Sequence, residues 1–230
     1  MSDWKDIWNR RTWRGADAIL AGLIEADGFD QGASRITVSS WERYTDQVSR
    51  WLKVERGNSI FDVGCGSGAL LYPFYRSGHK VGGIDYSEPL IAVARQTMER
   101  MDFSVEEAHE LSHVETYDFV ISNSAFHYFP DLNYADIVFQ KMIKKAKKAV
   151  AVLEIPNNEL KDESENARAA ALPEGEYEKK YCGLHHLYYD KQWFEKTGLR
   201  YGCVVQILDQ RIEDYGNNRF RFNAIFQKKA

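Results

Sequence analysis

The sequence is short of what a disulfide scaffold needs. Its 230 residues hold three cysteines, Cys65, Cys182 and Cys203, odd in number and far apart. They make neither a cross-linked framework nor the close pairs of a zinc site, so no metal is expected. No apolar run approaches the roughly 20 residues that a bilayer-spanning helix requires. The opening MSDWKDIWNRRTWR carries charge where a secretory signal would be apolar. A soluble, cytoplasmic protein without a membrane partner is the expectation. Positive charge is not in excess either: 30 Lys and Arg stand against 34 Asp and Glu, a net charge of −4. That argues against nucleic acid as a partner, because such binders usually present a basic face. No repeat or low-complexity tract is visible.

What is present is a globular composition, 44% hydrophobic and 28% charged. The length suits one α/β domain with an added lid. Residues 1–56 read as a helical cap. Trp4, Trp8 and Trp13 recur at near-helical spacing over residues 3–13, as a docked amphipathic helix or as a lid. A surface so rich in tryptophan also suits a homodimer contact. A second helix runs over 15–30 and ends near Gly28. A third opens on Ser39 with Glu42 three residues later, the pattern of a capping box.

From residue 57 the period changes. SIFDV, KVGGID, FSVEEA, YDFVISN and AVAVLEI read as strands with helices between them, closed at Gly78 and, in KQWFEKTG, at Gly198. KKAKK (144–148) falls at a helix end, where its charge complements the dipole. Residues 157–189 are polar and read as a lid. GCVVQILDQ and RFRFNAIFQKK have no helix between them and form an antiparallel hairpin. The fold class is therefore α/β: a doubly wound, mostly parallel seven-stranded sheet over 57–230, ending in that hairpin.

The chemistry gathers around SIFDVGCGSG. Gly64, Gly66 and Ala69 satisfy G-x-G-x-x-A between a strand and a helix, a fingerprint that by itself suits a dinucleotide. Asp62 lies just before the glycines, where a carboxylate suits a cationic ligand better than a pyrophosphate. Asp85 ends the second strand. It either accepts the two hydroxyls of a ribose or caps the helix that starts near Glu88.

Together, IFDVGCGSG, VGGIDYSEPLIAVAR, YDFVISNSAFHYFPD and the closing hairpin resemble the class I S-adenosylmethionine-dependent methyltransferases, over about residues 58–230. The resemblance implies S-adenosylmethionine as cofactor, with Gly64, Cys65, Gly66 and Gly68 along its methionine and ribose. Asp62 would lie near its amino group, Asp85 on the ribose diol and Tyr86 beside the adenine. Glu107, where the family often has aspartate, and Ala108 would face the adenine edge. Asn123 would pass along the methionine, and Trp41 and Tyr44 would close over the cofactor.

Methyl transfer needs an aimed nucleophile and often a base, and both belong beyond the carboxyl ends of the strands. His127, just after the fourth strand, is the leading base candidate, or else orders its loop. His185 and His186 follow the polar lid, and one of them is expected to face the pocket. Tyr177, Tyr181, Tyr188 and Tyr189 bind a ring or simply pack. With no separate domain for a macromolecule, a small-molecule acceptor is expected, methylated on oxygen first and nitrogen second. A sugar or a specialised metabolite fits. The alternatives are an NAD-dependent oxidoreductase or a non-catalytic protein on the same fold. The fourth-strand segment lacks the N-P-P-[YF] type sequence of many amino-group methylases acting on bases and glutamines.

Overall fold

Seven strands form one sheet in the order β3-β2-β1-β4-β5-β7-β6. They are β1 (Ser59–Val63), β2 (Lys80–Asp85), β3 (Asp102–Val105), β4 (Tyr117–Asn123), β5 (Ala146–Pro156), β6 (Cys203–Asp209) and β7 (Arg221–Lys228). The computed structural model describes residues 4–15, 17–30, 35–173 and 175–229. Asp3 and Ala16 of the expected helices, and Glu174 of the expected lid, lie outside them. β7 inserts between β5 and β6 and runs antiparallel to both. The other pairings are parallel, so six strands point one way and their carboxyl ends share one edge.

Alternation of side chains along each strand builds a core on both faces. Ile60, Phe119, Ile121, Ala151 and Ile225 face one side, while Phe61, Val63, Val120, Val152 and Phe226 face the other. On the first face lie α2 (Ile19–Ala26) and α3 (Val38–Leu52), then α4 (Leu71–Arg76) and α5 (Glu88–Thr97). Leu23, Trp41, Val48 and Leu52 belong to the same buried cluster as Ile60 and Phe119. The N-terminal helices thus share the core of the sheet. On the second face lie α6 (Leu132–Lys145) and α9 (Lys191–Arg200). Inside α9, a Cβ on Gly198 would run into Val205 and Phe226, so the glycine lets helix and sheet close up.

Several local expectations change. The first helix, α1, is only Trp4–Trp8. Trp13 lies beyond it and packs over Gly15 and Gly22. The cap of α3 is Thr37, whose side chain accepts from Ser40 N, so Ser39 sits inside the helix and makes no capping box. α6 passes into β5 without a loop: Lys144 and Lys145 end the helix, and Lys147 and Lys148 begin the strand. α9 runs through Gly198 to Arg200, and the left-handed glycine is Gly202. The excursion contains α7 (Lys161–Ala170) and α8 (Glu176–Tyr181). Within it Tyr189 is fully buried and donates to Phe126 O, which makes it a packing residue. Among the described residues no helix is long and apolar enough to cross a membrane, and no group of three His, Cys, Asp or Glu could hold a metal.

Candidate active site

A cavity of about 340 Å³ opens at the carboxyl ends of β1, β2 and β4. β1 and the glycine loop after it supply Asp62, Gly64, Cys65 and Gly66 to its wall, and the end of β2 supplies Asp85, with Tyr86 just beyond it. Glu107 and Ala108 line the far side, Asn123 the end of β4, and Trp41 enters from α3. Trp41 is fixed by a bond from Nε1 to Ala69 O, 3.0 Å. Gly64 has φ +77°, and a Cβ there would meet Ala125 Cβ at 2.5 Å. Only glycine lets the loop pass so close to the chain beyond β4.

Both oxygens of Asp85 accept backbone amides, Gly66 N at 2.9 Å and Ser87 N at 2.8 Å. The carboxylate therefore braces the glycine loop and the start of α5 together. A carboxylate accepts about four bonds, so two sites on Asp85 remain for a ligand. A second brace has no counterpart in the expected site. Asp27, just past α2, accepts Ser67 N at 2.6 Å and Ala69 N at 3.1 Å, and it also lines the cavity. Asp62 is 2% exposed, and its Oδ1 has no hydrogen-bond partner.

Three buried carboxylates beside one cavity are all raised, chiefly by burial and further by neighbouring acids. Burial pushes Asp27 up to about 7 despite its two amide bonds, with Asp85 adding repulsion. Burial likewise pushes Asp85 up to about 6, and the Ser87 and Gly66 amides oppose it. Asp62 is raised by burial and then by Asp27 and Asp85. The wall is thus poised for a positive ligand that would relieve the repulsion.

Some expected residues lie off this wall. Gly68 faces the core, where a Cβ would meet Met98. Tyr44 is buried and donates to Asn123 Oδ1 at 2.9 Å, so it supports the wall from behind. His127, His185 and His186 do not line the cavity. Tyr128 does, and His127 and His186 lie behind it, with ring centroids 4.0 and 5.4 Å away. His185 is exposed, and it is its carbonyl that accepts from Trp4 Nε1.

The helix α1 covers the opening. Trp4 and Trp8 line the cavity, both edge-on to Tyr128. Lys5 pairs with Glu107, Ser87 Oγ donates to Trp8 O, and Trp4 stacks on His186 at 4.7 Å. Of the two arrangements expected for this segment, Trp4 and Trp8 take the lid arrangement.

Behind Tyr128 lies a buried polar cluster centred on Glu154, at the end of β5. Its Oε1 accepts from Arg221 Nε at 2.8 Å and from Tyr215 OH, and its Oε2 from Ser124 Oγ at 3.0 Å. His127 Nδ1 is 3.9 Å from Oε2 and has no hydrogen-bond partner. Burial first, then His186, Arg221 and Arg168, push His127 well below the usual histidine range, so it is neutral at pH 7. Ser124 and Glu154, adjacent at the strand ends, have φ of 57° and 59°. Left-handed backbone at non-glycine residues costs about 1–3 kcal/mol each and clusters at functional sites.

Residues 60–139 match the sequence family described as "Methyltransferase domain". The ubiquinone biosynthesis O-methyltransferase of Paramagnetospirillum magneticum is 36% identical over 81 residues, 34% of this chain and 32% of that protein. The match thus spans about a third of the curated relative. Two solved structures share the fold. One is magnesium protoporphyrin IX methyltransferase from Synechocystis with bound S-adenosylhomocysteine: TM-score 0.61, 17% identity, covering 87% of this chain and 90% of that one. The other is an amino pentose methyltransferase of calicheamicin biosynthesis from Micromonospora echinaspora, bound to S-adenosylmethionine. Its TM-score is 0.62 at 11% identity, over 82% of this chain and 92% of that one. Residues 60–139 are therefore a methyltransferase domain, within a chain that has the Rossmann-like fold of the class I S-adenosylmethionine-dependent methyltransferases.

Proposed function

We propose that this chain transfers a methyl group from S-adenosylmethionine to a small-molecule acceptor, on oxygen in the first instance and nitrogen second. A sugar or specialised metabolite is the acceptor class put forward. The observation that carries the reading is the acidic cavity at the strand ends, with Asp27, Asp62 and Asp85 around a glycine loop. A pyrophosphate would be repelled there, whereas the sulfonium and ammonium of S-adenosylmethionine would be attracted. The orphaned Asp62 Oδ1 and the close pass at Gly64 fit that cofactor.

Asp62 would take the cofactor's ammonium and the free lone pairs of Asp85 its ribose diol. Tyr86, Glu107 and Ala108 would border the adenine, and Asn123 and Trp41 the methionine end. The cofactor supplies an electrophilic methyl on a sulfonium. The chain's own part is to aim the acceptor and take its proton. His127 is neutral and so has a free ring nitrogen for a proton; burial and the nearby cations weaken it as a base, and a proton held at Nδ1 would face Glu154 Oε2, the carboxylate that favours the charged form. Closure of α1 keeps water from the reacting atoms. His185 has no such place, because it is exposed.

Calorimetry with S-adenosylhomocysteine and with NADH tests the cofactor. Tight NADH binding without S-adenosylhomocysteine binding would sink the reading. Cofactor binding with no methyl transfer across a broad acceptor screen would point instead to a binding protein on this fold.

A further inference from the structure

The acceptor side of the site differs in charge from the cofactor side. Five carboxylates line the cavity, Asp27, Asp62, Asp85, Glu106 and Glu107, against one cation, Lys5, but the cluster behind Tyr128 holds two guanidiniums, Arg221 and Arg168, and one well-placed carboxylate, Glu154. Glu154 is engaged with Arg221. Among the described residues, Arg168, on α7 of the lid, has no such close partner: the carboxylate paired with it is Glu165 at 4.0 Å, itself 41% exposed. Its bonds go to neutral groups, from Nη1 to His186 Nδ1 and from Nη2 to Tyr188 OH, both 2.8 Å.

A guanidinium can only donate, so His186 Nδ1 carries the lone pair and Nε2 the proton. Burial, then Arg168 and Arg221, hold His186 below its usual range, so it brings no charge of its own. Among the described residues its Nε2–H is buried without an acceptor, and so is Arg168 Nε–H. Two buried donors without acceptors, one on a cation lacking a close counter-ion, make an unfavourable free state. An anion accepting from Arg168 Nε–H would satisfy the cation's demand, while His186, held by Nδ1 on Nη1, points its Nε2–H away from the guanidinium and fixes the side chain in place. Trp4 lies flat on His186, 4.7 Å away at 14°, so the seat beside this pair already takes a planar ring.

Resting on the methyltransferase reading, we propose that the methyl acceptor carries an acidic group, a carboxylate or a phosphate, and that Arg168 of the lid, held in place by His186 and Tyr188, receives it. The acid group is the handle by which the lid orients the acceptor, and Arg168 sets specificity. Trp4 leaves its place on His186 as the acceptor enters.

The test is calorimetry on the full chain saturated with S-adenosylhomocysteine, using benzoate and phenyl phosphate against the neutral benzamide and benzyl alcohol. One of the acids should bind about tenfold to a hundredfold more tightly than its neutral counterpart, the range expected for a charge-assisted bond. Which acid wins separates carboxylate from phosphate. Arg168→Gln should abolish the preference while S-adenosylhomocysteine affinity and unfolding temperature hold. Arg168→Lys should keep part of it, and Arg219→Gln, on an exposed ion pair, all of it. Acids that bind no better than the neutral probes, acids that do not bind at all, or a preference that survives Arg168→Gln would each overturn the proposal. A wild-type chain that fails to bind S-adenosylhomocysteine would refute the methyltransferase reading instead. An acid preference persisting in that chain would still identify the anion seat.

Discussion

Asp27→Asn should stabilise the ligand-free chain at pH 8 and do so far less at pH 5. Asp27 is pushed from an ordinary 3.8 to about 7, mainly by burial. A carboxyl raised in the folded state adds stability that is fully present below 3.8 and lost as pH rises through about 7. Relative to low pH, the lost stability is about 2 kcal/mol by pH 5, where the unfolded carboxyl is ionised and the folded one still protonated, and about 4 kcal/mol by pH 8. Asparagine removes that cost. It keeps one acceptor for the Ser67 and Ala69 amides and forfeits the other, about 1 kcal/mol at every pH. The net gain is therefore about 3 kcal/mol at pH 8 and about 1 kcal/mol or less at pH 5. Urea unfolding of both proteins at both pH values measures it. A difference independent of pH, or a variant less stable at pH 8, would refute the assigned protonation. The same substitution should weaken S-adenosylmethionine more than the uncharged-sulfur product S-adenosylhomocysteine, because it removes a negative charge from the cavity wall.

The other expectations concern single side chains. Asp85→Ala should weaken cofactor binding by about 1.5–3 kcal/mol or more, read by calorimetry, since both the ribose contact and the brace on Gly66 N are lost. Unchanged affinity would remove the ribose role. Cofactor affinity in the wild type should fall as pH drops through 7 to 6, where Asp27 and Asp85 become protonated and a cation loses its counter-charge. A flat titration would speak against the raised carboxylates. His127→Ala should lower kcat more than cofactor affinity. Equal losses would make His127 a cofactor or loop contact. Glu154→Gln leaves Arg221 buried and unpaired, so it should destabilise the chain by about 3–5 kcal/mol in urea. A loss under 1 kcal/mol would show that Arg221 finds water or another acceptor.

The sheet and its order of elements were legible because each strand is an apolar run closed by glycine or an acid. Asp62 and Asp85 announced themselves as carboxylates ending apolar strands. Glu154 gives the same signal at the end of AVAVLEI, and went unused as a site because no glycine loop follows it. Asp27 gave none: its partners are backbone amides 40 and 42 residues away, and backbone donors carry no sequence mark. The cluster of Arg168, His186, Arg221 and Tyr215 is assembled from three distant segments, which local patterns do not relate. Cap positions failed for a simpler reason. Thr37 and Ser39 are both good N-caps two residues apart, and packing of α3 against the sheet decides between them.

A crystal structure of the chain with S-adenosylhomocysteine tests the central claim most directly. The account places the ribose diol on Asp85, the amino group at Asp62 Oδ1 and the sulfur facing the side of Tyr128 and Ser124. Adenosine bound elsewhere, or a ligand in this cavity that leaves Asp62 and Asp85 without a contact, would contradict it.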